Sequence, residues 1–290
     1  METMKVETIG KEIIKPSSKT PNNLRTLQLS IYDHFLPPIY TVAFLLYTKN
    51  DLISQEHTSH KLKTSLSQTL TKFYPLAGRI NGVTVDCTDE GAIFVDARVN
   101  NYPLTEFLQC PDFDALQRLL PLDVVDNPYV AAATWPLLHK IADAASISTF
   151  IRSWAATARG ENDAVKVSPE FVAANFYPPA NEAFKLPVDE QAGKRISITK
   201  RFVFKASKVE ELRTKAASAE TVDQPTRVES VTALLWKCFV AAACSKKTTC
   251  DHKVLIQLAN LRSKIPSLLQ ESLIDRKSHV LFCGLEYVEL

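Results

Sequence analysis

Three observations in the sequence predict a two-domain α/β protein. Runs with strand patterning alternate with runs of helical period on both sides of residue 180. A break carrying Pro187, Gly193 and several charges, Asn181 to Lys194, interrupts that alternation. At 290 residues and 46% hydrophobic composition, the chain has material for one large or two ordinary cores.

The elements follow in chain order. Lys11 to Pro21 is polar and reads as an entry segment. Ile39 to Tyr47 is nearly continuous apolar sequence, the pattern of a strand buried on both faces. His60 to Phe73 places Leu62, Leu66, Leu70 and Phe73 on one helical face, and Pro75 ends the helix. Tyr74 to Arg79 is then a turn, and Gly91 to Asp96 a short strand. Phe176-Tyr177-Pro178-Pro179 breaks regular structure. Ile196, Ile198, Phe202 and Phe204 alternate as on a half-buried strand. Ser207 with Glu210 and Thr226 with Glu229 are capping-box signatures. The second opens a helix expected to turn Val228, Val231, Leu235, Cys238 and Phe239 inward, followed by a buried strand at Val254 to Leu258.

Between these halves lies Leu137 to Asp143 and the helix-patterned run Ala144 to Arg159. Ile147, Phe150, Ile151, Trp154, Ala155 and Ala158 fall on one face of that helix. Asp143 stands at its N-cap position, and Gly160 at its left-handed C-cap. His139 is then held at a strand end or loop just upstream. Imidazole titrates near pH ~6.5, so such a histidine can serve as a general base. Spacing alone leaves a second reading open, in which His139 is a partly buried histidine and Asp143 only a cap.

Other chemistries are excluded or weakly supported. The balance of 34 basic and 32 acidic residues, net +2, makes no electrostatic case for nucleic acid or an anionic membrane. No signal-like start or transmembrane-length run is present, so a cytoplasmic protein is expected. With seven glycines there is no phosphate or dinucleotide loop, and no G-x-S-x-G elbow. His57 and His60 lack a third ligand nearby, so no metal is expected. The six cysteines form no C-x-x-C pair and read as free thiols, Cys238 at a core position.

A set of motifs in fixed order narrows the function. His139-x-x-x-Asp143 with Ser153-Trp154-Ala155 resembles the signature of the plant BAHD acyltransferases, closest to the vinorine-synthase-like branch. Leu29-Ser30 with Asp33, Tyr74 to Arg79, Phe176 to Pro179, Arg227-Val228-Glu229 with Trp236-Lys237-Cys238, and Asn260-Leu261-Arg262 look like that family's other landmarks. The resemblance runs from about Val6 to Leu273. It implies a chloramphenicol-acetyltransferase-like fold of two similar mixed-sheet α/β domains. It implies an acyl transfer from acyl-CoA to a hydroxyl or amine of a plant specialised metabolite, alkaloid-like in class. In that reaction His139 is the general base, with Asp143 and Arg262 a structural pair beside it. Acyl-CoA is a co-substrate, no cofactor is bound permanently, and the family implies a monomer.

Two departures accompany the match. Trp135-Pro136-Leu137-Leu138 runs straight into His139, where the family has a strand, a Cys-Gly-Gly-like turn and another short strand. The D-F-G-W-G landmark is absent after Ile274. The expected organisation is therefore an N-terminal domain at 1–180 carrying the histidine motif, a crossover linker at 181–195, and a partial C-terminal domain at 196–290. A catalytically impaired or non-catalytic remnant is the alternative function.

Overall fold

The computed structural model describes residues 4–31, 33, 44–47, 54–109, 113–120, 141–161, 169–179, 202–218, 222–244, 255–260 and 281–286. The chain divides into two compact units. One comprises Met1–Val188 with Asn260–Phe282, the other Asp189–Ala259 with Cys283–Leu290.

In the first unit, β1 (Lys5–Ile14) pairs antiparallel with β5 (Ala92–Asn100), from Lys5 opposite Asn100 to Ile14 opposite Ala92, with an irregularity between Thr8 and Gly10. A second sheet has the order β2 (Thr26–Gln28), β4 (Thr84–Asp86), β3 (Arg79–Asn81), all antiparallel. Helix α1 (Gln55–Lys72) is capped by the Ser54 hydroxyl, which accepts from His57 N–H. It is followed by the 3₁₀ turn Tyr74–Ala77 with Pro75 near its start. Short helices α2 (Leu104–Gln109) and α3 (Phe113–Arg118) come next, then α4 (Ala144–Arg159) and the single turn α5 (Ala173–Phe176).

The core of this unit forms where α1 meets α4. Leu66, Leu70 and Phe73 of the predicted α1 face are buried, together with Leu29, Leu76, Val85, Ile141 and Phe150. The Phe73 and Phe150 rings meet edge to face, centroids 5.3 Å apart. Trp154 donates its indole N–H to Leu62 O at 3.1 Å and to Ser65 Oγ at 3.0 Å, so one side chain of α4 is bonded to the α1 backbone. Gly91 lets β5 begin against β1: at φ +92° it is left-handed, and a Cβ there would meet Ile14 O at 2.6 Å.

The outer face of α1 is tied to the β1–β5 ribbon by charge. Lys63 Nζ lies 2.6 Å from Glu12 and 2.7 Å from Asp96, and Ser59 donates to both Asp96 oxygens. These contacts raise the Lys63 pKa, chiefly through the Asp96 hydrogen bond, and lower that of Asp96 through Lys63. Burial pushes the Cys87 thiol up to about 12.

The second unit holds α6 (Ala206–Ala216) and α7 (Arg227–Cys244), packed on each other. Arg213 Nε donates to Pro225 O at 2.8 Å. Strands β6 (Leu255–Asn260) and β7 (Leu281–Glu286) pair, and both lie chiefly in this unit. The Thr226–Glu229 capping box is present in both directions, at 2.6 and 3.2 Å.

Several expectations are corrected. The described part of the apolar run, residues 44–47, is not a strand, and Leu45 and Tyr47 are exposed. No described strand pairs with it, and an apolar strand is buried only when neighbours supply edges and cover; residues 39–43 lie outside the described set. Phe202 to Phe204 is likewise irregular and exposed, with residues 196–201 outside the described set. Ser207 does not cap α6: the helix begins one residue before it, and Glu210 is engaged by Arg213 instead. Val228, Leu235, Cys238 and Phe239 point outward, and the buried indole N–H of Trp236 has no hydrogen-bond partner among the described residues. Cys87 and Cys238 are free as expected, but Cys244 is disulfide-bonded.

Two outcomes are expected. Trp154→Phe keeps most of the buried area but removes the indole donor, so urea unfolding should show a loss of about 1 kcal/mol. For Asp96 the folded pKa lies below the unfolded one. Its contribution is present above about pH 4 and is lost as pH falls through the folded value. Asp96→Asn should therefore lower the melting temperature near neutral pH and flatten its fall in acid; an unchanged acid limb would refute the assignment.

Candidate active site

Asp143 is the one of the three predicted site residues that the structure describes; His139 and Arg262 lie outside the described residues. Asp143 is the N-cap of α4 in extended backbone, φ −79° and ψ 178°. Its Oδ1 accepts from Ser146 N–H at 3.0 Å and from Ser146 Oγ–H at 2.6 Å. At the far end Gly160 is left-handed, φ +77°, and its N–H closes onto Thr157 O. Ile141 and Ala142, immediately before the cap, are 4% and 5% exposed. The segment leading into α4 is thus anchored on both sides, by a cap and by the core.

Around Ile141 the distant motif residues converge. Leu27, Gln28, Leu29, Asp33, Phe171, Val172 and Ala173 line a small cleft with it, whose free space is about 20 Å³, room for roughly one water. Asp33 Oδ2 accepts from both the backbone N–H and the hydroxyl of Ser30, at 2.6 and 2.7 Å, which folds the Leu29–Asp33 motif into a compact turn. Ile31 N–H donates to Tyr177 O at 3.1 Å, stitching that turn to the Phe176–Pro179 segment. Tyr74 and Phe171 rings meet edge to face at 5.3 Å. Arg79, last of the Tyr74–Arg79 motif, donates to Gly78 O and Gly91 O and pairs with Glu90 at 3.2 Å. Its place is in the frame, away from the cleft lining.

Chemically the cleft is an apolar wall with one carboxylate and one amide at its edge. Among the described residues no cluster of His, Cys, Asp or Glu could hold a metal ion. Sequence reading missed Ser146, legible as Asp-x-x-Ser at a helix start, and the Trp154 indole bond, for which helical period carries no signal.

A model of the Transferase family matches residues 4–275. An Arabidopsis thaliana protein, BAHD acyltransferase BIA1, is 39% identical over 91% of this chain and 64% of its own. The chain belongs to the BAHD acyltransferase family. Vinorine synthase of Rauvolfia serpentina is 33% identical over 97% of this chain and 71% of its own, and salutaridinol 7-O-acetyltransferase of Papaver somniferum 34% over 93% and 65%. The crystal structure of vinorine synthase superposes with a TM-score of 0.72 at 28% identity, over 98% of this chain and 71% of that one. The α/β fold class expected from sequence is therefore that of this BAHD member. The chain spans about two thirds of the length of the curated relatives it matches. The vinorine synthase alignment runs over 315 residues, longer than this chain, so the relative holds residues within the matched span that are lacking here.

Asp143→Ala removes the cap acceptor from α4 and should destabilise the fold by about 0.5–2 kcal/mol, read from denaturant unfolding. Asp143→Asn keeps an acceptor oxygen; if capping is the residue's whole role, its stability stays within about 0.5 kcal/mol of the parent.

Proposed function

We propose that this BAHD chain descends from an enzyme moving an acyl group from acyl-CoA to a hydroxyl or amine of a plant specialised metabolite, alkaloid-like in class, with His139 as general base. The observation carrying the proposal is the anchored Ile141–Asp143 segment beside the apolar cleft. In the sequence His139 stands two residues before Ile141, whose own backbone is anchored by the core and by the Asp143 cap. The acceptor's O–H or N–H loses its proton to the imidazole as its heteroatom attacks the thioester carbonyl. The tetrahedral intermediate collapses, the C–S bond breaks, and CoA leaves as thiolate. General-base assistance supplies ~10²–10⁴-fold, and positioning in the cleft must contribute the rest.

Asp143 and Arg262 are proposed to form an ion pair holding the His139 loop, with the N-terminal domain at 1–180, a crossover linker at 181–195 and a partial C-terminal domain at 196–290. The protein is proposed to be a cytoplasmic monomer that consumes acyl-CoA without a resident cofactor.

The second reading, a catalytically impaired remnant, is favoured by the residues lacking within the matched span. A displacement of about 1 Å at a general base costs ~10²-fold, so a shortened approach to His139 should leave turnover low. CoA-thiol release against a panel of acyl-CoA donors and alcohols tests both readings. Slow turnover abolished in His139→Ala is the expected result. Robust turnover abolished in that variant would refute the impairment. Equal rates in the two proteins would refute the base.

A further inference from the structure

We propose that Asp33 is a positioning residue for the motif segment: it holds the turn on which Ile141 is seated, and through Ile141 it fixes the backbone entering α4. Its bearing on turnover rests on the proposed base at His139; the seating of the backbone does not.

Ser30 and Asp33 close on each other from both directions. Asp33 Oδ2 accepts from the Ser30 N–H at 2.6 Å and from the Ser30 hydroxyl at 2.7 Å. In return the Asp33 N–H donates to Ser30 O at 3.1 Å and lies 3.4 Å from Ser30 Oγ. This is the reciprocal arrangement of a capping box, with aspartate in the place of glutamate. The flanking amides are bonded outward, Leu29 N–H to Val83 O at 2.9 Å and Ile31 N–H to Tyr177 O at 3.1 Å. Three successive N–H groups thus have separate partners, and the turn cannot move without losing one of them. A single carboxylate oxygen carries both Ser30 bonds. Asparagine can supply such an oxygen and alanine cannot.

The turn is packed against the motif segment. Leu29 and Ile141, 1% and 4% exposed, belong to one buried cluster. Leu29, Asp33 and Phe171 line the cleft at Ile141, where about 20 Å³ is free. With so little slack, a displaced turn displaces Ile141. Two residues on, Asp143 holds the first amides of α4, Ser146 N–H on its Oδ1 and Ile147 N–H on its backbone O, at 3.0 and 2.9 Å. His139 stands two residues before Ile141 in the sequence.

The test is amide hydrogen exchange of the full chain followed by NMR. Asp33→Ala should speed exchange at Ser146 and Ile147 about ten-fold and leave the Phe73 amide, bonded to Thr69 O in α1, unchanged. Asp33→Asn should restore the parent rate. Ser30→Ala should fall between the two, and it replaces Asp33→Ala if circular dichroism shows that chain unfolded. Unchanged exchange at Ser146 overturns the proposal. So does an acceleration that includes Phe73, because that marks a general loss of stability. CoA-thiol release reads the link to turnover: Asp33→Ala should lower kcat about ten-fold at constant KM for acyl-CoA, with rescue by Asp33→Asn. Faster exchange with kcat unmoved would overturn that link. If His139→Ala matches the parent rate, the base reading fails, and the exchange result alone decides the role of Asp33.

Discussion

The first unit depends on the seam between α1 and α4. Edge-to-face packing of Phe73 on Phe150 supplies the apolar contact, and the Trp154 indole fixes the rotation of α4 by reaching the α1 backbone. Buried area alone would allow the two helices to slide or turn; a directional bond from a rigid ring to a carbonyl does not. Because Asp143 and Ile141 enter directly into α4, the placement of this seam sets the placement of the motif backbone. The catalytic proposal for His139 thus rests on a joint in the core.

The family landmarks serve different physical purposes, and the structure separates them. Asp33 and Ser30 close a turn, Tyr177 stitches that turn to a distant segment, and Arg79 is consumed in holding two backbone carbonyls and Glu90. These are scaffolding bonds around a cleft whose own lining is mostly aliphatic and aromatic. A motif that recurs in a family of acyltransferases is therefore no guide to which of its residues touches substrate.

What could be read from the string was what local physics decides. Helix α4 was legible from end to end because its period, its Asp143 cap and its Gly160 terminus are all encoded within one segment. The Thr226–Glu229 box was legible for the same reason. Burial was legible only where the partner exists. Leu66 and Leu70 are inside because α4 and the small sheet cover them, whereas Leu235 and Phe239 carry the same helical signal and remain outside. The pattern reports which face a helix would bury, and the rest of the chain determines whether anything arrives to cover it. Ser207 with Glu210 shows a smaller version of this competition: Arg213 takes the carboxylate that a capping box would have used. Of the candidate site, the cap was legible, and the cleft was not, because its walls come from three separated stretches.

The stitch from Ile31 to Tyr177 has a consequence in time. One half of that bond leaves the ribosome early and the other only when most of the first unit has been made. At typical synthesis rates of ~5–20 residues per second, roughly 7 to 30 seconds separate their emergence. During that interval the Leu29–Asp33 turn exists without the segment that closes it. The cleft is consequently completed well after its first wall has been made, and over the interval between Asp33 and Tyr177 that apolar wall stands open.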